Sequence, residues 1–76
     1  MKDFLEIIVK KLVDDPESVV IAEDITPDGF ITLTISAAQE DIGKIIGKEG
    51  KVIKALRDLI KILAVKENKR VTVQIS

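Results

Sequence analysis

The residues best suited to chemistry lie in one stretch, Ile42-Gly43-Lys44-Ile45-Ile46-Gly47-Lys48-Glu49-Gly50-Lys51-Val52-Ile53. Gly47 and Gly50 bracket the charged pair Lys48-Glu49, and branched apolar residues flank them on both sides. Glycine lets a backbone turn tightly and approach a ligand closely. A helix that starts directly after such a turn offers unpaired N–H groups and the positive end of its peptide dipoles, which favour a phosphate. Lys48 at the tip, with Lys44 and Lys51 beside it, adds positive charge. The chemistry this predicts is close binding of an anionic ligand by backbone and lysine together.

Two familiar phosphate motifs do not fit. A P-loop needs G-x-x-x-x-G-K-[ST] after a strand, but only three residues separate Gly43 from Gly47, and Glu49 follows Lys48 where a magnesium-binding hydroxyl belongs. The dinucleotide fingerprint G-x-G-x-x-G fails on the same spacing and on the helical pattern that precedes it.

Composition narrows the function classes. The chain has no histidine, cysteine, tryptophan or tyrosine. It therefore lacks the commonest general base and metal ligand, the thiol nucleophile and any disulfide framework, which argues against an enzyme or a cofactor protein. Carboxylate pairs such as Asp14-Asp15 and Glu23-Asp24 read as element ends. Hydrophobic residues make up 46% and charged residues 33%, a globular composition. At 76 residues, a single domain covering 1–76 is expected. The charged N-terminus is unlike a signal peptide, and no apolar run approaches a membrane span, so a cytoplasmic protein with no membrane association is expected. The net charge of −1 conceals an asymmetry. Residues 1–40 carry three basic and nine acidic side chains, whereas residues 41–61 carry six basic and three acidic ones. The local excess points to a confined anion site, against a general polyanion binder.

Several elements must hold this stretch in place. Residues 2–13 have helical periodicity, with Phe4, Leu5, Ile8, Val9, Leu12 and Val13 on one face. Ile7 falls on the opposite face, as a lone exposed apolar residue or a partner contact. Asp14-Asp15-Pro16 ends the helix. A strand runs from Ser18 to Ile25, Thr26-Pro27-Asp28-Gly29 forms a turn, and Phe30 to Ser36 alternates as a half-buried strand. Ser36 or a neighbour is expected to cap a short helix ending near Ile46, with Glu40 and Asp41 in its early turns. Gly43 inside it suggests close packing or room for a ligand. A longer helix follows Gly50, with Val52, Ile53, Leu56, Leu59, Ile60 and Leu63 as its buried stripe. Glu67-Asn68-Lys69 breaks it, and Arg70 to Ser76 is a last strand. The order α-β-β-α-α-β, with only one sheet face buried, predicts a two-layer α+β domain: a three-stranded mixed sheet with three helices on one face.

Within this order, Ile46-Gly47-Lys48-Glu49-Gly50-Lys51-Val52-Ile53 resembles the I-G-x-x-G-x-x-I signature of KH domains, in which a GXXG loop clamps the nucleic-acid backbone. The element order resembles the type II arrangement of that fold. The segment from Ala38 to Gly47 is similar to small bacterial single-domain KH proteins of the KhpA type. The resemblance covers the whole chain. It implies a non-catalytic protein that binds single-stranded RNA, as an RNA chaperone or post-transcriptional regulator. It also implies a homodimer, or a heterodimer with a larger KH-containing RNA-binding protein, and no cofactor.

Carried over by position, Gly47, Lys48, Glu49 and Gly50 form the clamp. Ile46 and Ile53 act mainly as core holding it, with the groove edge as a further role for Ile46. Gly43, Lys44 and Lys51 lie beside the loop, and Lys54 completes the RNA-binding candidates. Lys54, Arg57 and Lys61 also fit a solvated helix face. Glu49 is expected to repel phosphate. With only Phe4 and Phe30 as aromatics, ring stacking cannot dominate, so modest affinity through backbone clamping and aliphatic contact is expected. A protein-interaction adaptor that uses the same fold mainly to dimerise is the alternative, motivated by the acidic first half, Glu49, Ile7 and Ile62. Single-stranded DNA fits a backbone clamp as well as RNA does.

Overall fold

The structure, a computed structural model, describes residues 1–76. It contains α1 (Lys2–Leu12), β1 (Val20–Ile25), β2 (Phe30–Ser36), α2 (Ile42–Ile46), α3 (Lys51–Lys66) and β3 (Arg70–Ile75). Short 3₁₀ turns lie at Pro16–Ser18, Gln39–Asp41 and Lys48–Gly50. The sheet order is β1-β2-β3, with β1 antiparallel and β3 parallel to the central β2. This is the expected α+β architecture, a mixed sheet with three helices, and it is consistent with a type II KH fold.

Alternation in β2 sets the layers. Ile31, Leu33 and Ile35 are buried, while Thr32, Thr34 and Ser36 between them are half-buried. Parallel pairing brings Val71, Val73 and Ile75 alongside the inward row. The β1–β2 turn closes through Gly29 N–H to Thr26 O at 2.9 Å, with Gly29 at φ 87°. Burial of Leu5 and Val9 from α1, Ile45 from α2, and Ile53, Leu56 and Ile60 from α3 completes the core.

Several expectations are corrected. Ser18 belongs to a 3₁₀ turn, so β1 starts at Val20. Phe4 and Leu12 are 41% and 37% exposed, because α1 packs on the edge strand β1 and on α2 through Leu5 and Val9, with Ile8 and Val13 half-buried beside them. On α3, Leu59 is 37% exposed and Ala64 takes a buried place instead. The buried row there is 53, 56, 60, 64, a narrower stripe rotated from the one periodicity suggested. Ser36 does not cap α2. It pairs with Val20 in the sheet, and its hydroxyl meets that of Ser76 at 3.0 Å. The helix begins only at Ile42, after a 3₁₀ turn, and has no side-chain cap.

Candidate nucleic-acid interface

The loop between α2 and α3 is short and tightly specified. Gly47 ends α2 at φ 77°, ψ 174°, with its N–H bonded to Gly43 O at 2.9 Å. A β-carbon on Gly47 would lie 2.2 Å from Val52 Cγ2 and 2.9 Å from Val52 N. Only glycine fits where the chain folds back on α3. Glu49 and Gly50 then both take left-handed backbone angles, φ 57° and φ 73°, and Gly50 N–H bonds to Gly47 O at 3.1 Å. A left-handed conformation costs an ordinary L-residue about 1–2 kcal/mol, so Glu49 sits under local strain. Gly50 delivers the chain into the sixteen-residue α3, whose N-terminus has no side-chain cap.

Gly43 tells a different story from the packing role considered for it. Nothing lies within 4 Å of a β-carbon built there, and its backbone is ordinary helix, so no packing demand explains it. It leaves bare, exposed backbone on α2 one turn before the loop. Ile46, read mainly as core, is 38% exposed beside it, and the fully buried anchor of α2 is its neighbour Ile45. Ile53 is buried at 7% exposure, as expected of the residue that holds α3 down.

The lysines fall into two groups. Lys48 and Lys51 are exposed and take part in none of the ion pairs. Lys54 is paired along its own helix with Asp58 at 3.2 Å. Lys44 is engaged elsewhere: its ammonium is hydrogen-bonded to the Asp14 carboxylate and lies 3.8 Å from Asp41 Oδ1. The Asp14 hydrogen bond raises the Lys44 pKa above 10.5, desolvation opposes it, and the charges of Asp14 and Asp41 add to the rise. The loop tip thus presents Lys48, Lys51 and the opposing Glu49 to solvent.

Sequence reasoning missed two residues that shape this region. Asp41 is completely buried, and its two carboxylate oxygens accept the backbone N–H groups of Asp14 at 3.2 Å and Asp15 at 3.0 Å. It fastens the start of α2 to the turn after α1; an early-turn acid serving the helix dipole does not describe it. Arg57 donates Nε–H to Val73 O at 3.0 Å, tying α3 to the outer edge of β3. Both partners are far away in sequence, so neither contact leaves a local signal. A concavity of about 260 Å³ beside that edge is lined by Arg57, Asp58, Lys61, Val71, Thr72 and Val73.

A family model described as KhpA/KhpB, KH domain, matches residues 2–75. The chain belongs to the KhpA/KhpB KH-domain family. Similar curated relatives are each named RNA-binding protein KhpA. That of Clostridium acetobutylicum is 52% identical over 75 residues, covering 99% of both chains. That of Chlamydia pneumoniae is 49% identical and covers 99% of this chain and 95% of its own. Among solved structures, a point variant of Aquifex aeolicus Era bound to GDP.AlF4- superposes with a TM-score of 0.63 at 14% identity. The match covers 97% of this chain and 28% of the Era chain, and it shows a shared fold. No helix of this KH-family chain is long and apolar enough to cross a membrane.

Proposed function

We propose that this protein binds single-stranded RNA without catalysis, gripping the sugar-phosphate backbone with the Gly47–Gly50 loop. The observation that carries the reading is the loop itself: two positive-φ glycines closing a tight turn, unpaired Lys48 and Lys51, and the uncapped N-terminus of α3 meeting at one exposed edge. RNA binding is also what the names of relatives about half identical over the full chain state. Exposed Gly43 and Ile46 leave a low, partly apolar surface next to the clamp, where a sugar or base can lie close to the backbone. Glu49 and the acidic first half of the chain hold affinity down, which suits a chaperone or post-transcriptional regulator acting with a partner.

Replacing Lys48 and Glu49 together by Asp tests the clamp while keeping both glycines. Asp tolerates left-handed backbone, so the loop conformation at position 49 is retained. RNA affinity measured by fluorescence anisotropy is expected to fall at least about tenfold, since a phosphate would then face two carboxylates. Undiminished binding by a folded variant would rule the clamp out.

A second reading, an adaptor whose fold serves mainly to pair with another protein, is favoured by one observation. Ile62 and Val65 on the outer side of α3 are 57% and 71% exposed and line an open concavity of about 540 Å³ with Asp58, Lys61 and Lys66. Apolar exposure of this kind, rimmed by charges of both signs, suits a self-pairing helix face. Pairing and RNA binding are compatible, and two linked clamps would grip one strand more firmly than either alone.

A further inference from the structure

The contact between Lys44 and Asp14 borders the loop, yet the clamp has no use for it. Lys44 precedes Gly47 by three residues, about 4.5 Å of helical rise, a distance a lysine side chain spans. The two acids around its ammonium are held very differently. Asp41 is buried and both of its oxygens are occupied by amides, so its position is fixed. The Asp14 side chain is 81% exposed, and its only hydrogen bond is to Lys44. What ties residue 14 to Asp41 is its backbone N–H.

Asp14 is therefore an exposed carboxylate whose one side-chain partner is a cation three residues before the Gly47–Gly50 loop. An exposed ion pair contributes little and is easily exchanged for another anion. A phosphodiester offers the same charge and the same kind of acceptor oxygens. We propose that Asp14 sets the affinity of the clamp as a tethered competitor: its carboxylate occupies Lys44 in the free protein, and an RNA phosphate must displace it. This rests on the clamp reading of the loop. Lys48 and Lys51 meet the strand first, and Lys44 joins only when the strand outcompetes Asp14.

The test is titration of a short fluorescent oligouridylate at several salt concentrations. Asp14→Asn keeps the backbone amide that bonds to Asp41 and removes the competing charge. It is expected to bind about 2–5-fold more tightly than the parent, the range an exposed ion pair implies. The slope of log affinity against log salt is expected to change by less than about 0.7, the value for one neutralised phosphate on a single strand, because Lys44 meets a phosphate in both bound proteins. Asp14→Ser, with a different neutral side chain, must behave alike. Glu17→Gln removes the same charge from the adjacent 3₁₀ turn without touching Lys44 and measures the general charge effect. In a Lys44→Met background the gain from Asp14→Asn should shrink to the general charge effect that Glu17→Gln measures. A gain no larger than that of Glu17→Gln, or one that stays above it without Lys44, overturns the proposal. The Lys48→Asp, Glu49→Asp variant run alongside separates the two readings. If it binds like the parent, the clamp is wrong; if it loses binding while Asp14→Asn gains nothing, only the role of Asp14 fails.

Discussion

Three glycines of the 42–53 stretch occupy three environments, so one substitution should have three outcomes. Gly47→Ala combines a positive φ with overlap against Val52 and is expected to cost about 2–4 kcal/mol of stability. Gly50→Ala meets no neighbour and carries only the left-handed cost, about 1–2 kcal/mol. Gly43→Ala has open space and helical backbone, so it should leave stability unchanged or raise it by up to about 1 kcal/mol. If RNA approaches α2 closely at Gly43, the same alanine weakens binding while the protein becomes no less stable. Urea denaturation paired with RNA titration reads both quantities, and a Gly43→Ala protein that binds RNA as before would remove that approach surface. The turn framed by Gly47 and Gly50 was legible because glycine spacing is local information. The pairing of Lys44 was not, since its partner Asp14 lies 30 residues away. Nor was the left-handed conformation of Glu49, a residue type that gives no hint of it.

At the scale of elements, α2 stands out as a helix of five residues, too short to be stable alone. It persists because each part is fastened: Asp41 ahead of its first residue, Ile45 in the core, and Gly47 against Val52 at its end. Asp41→Ala strips two amides of their shared acceptor and Lys44 of a neighbouring charge, and is expected to cost roughly 2–3 kcal/mol, measured by denaturant unfolding. A much smaller loss would mean that water substitutes for the carboxylate and that the staple matters little. The helix–turn–helix itself could be read from periodicity, as could the alternation of β2. Where α2 begins could not, because the run from Ser36 to Glu40 offers several polar residues able to cap, and the strand claims Ser36 through a ladder with Val20. The rotated stripe of α3 was misjudged for a related reason. Periodicity marks which positions are apolar, while the narrow sheet decides which of them are covered.

Across the whole molecule, charge and topology divide the work. The acidic edge strand β1 lies at one side of the sheet, and the lysine-bearing α3 packs on β3 at the other. Basic residues are thus gathered on α3 and acidic ones on the opposite side, an arrangement that, on the proposed function, would confine RNA to the Gly47–Gly50 loop. The outward Ile62 and Val65 of α3 make the pairing reading testable. Ile62→Asp is expected to leave the fold intact, shift the protein to a monomer in sedimentation, and weaken binding to RNA long enough to span two clamps by roughly tenfold or more. A wild-type protein that remains monomeric at high concentration and pairs with no partner would remove this reading.

The Gly47–Gly50 loop also lies inside the connection that makes β2 and β3 parallel. Residues 37–69 must be gathered into α2, the loop and α3 before the sheet can close. Parallel pairing across such a connection is non-local, and its loop-closure entropy has to be met before any ladder bond forms. A chain with a finished sheet has therefore already built the Gly47–Gly50 turn, so on the proposed function folding and the formation of the clamp are one event. The coupling runs in the other direction as well. A ligand held at the loop restrains the crossover, and so slows the detachment of a sheet edge it does not touch.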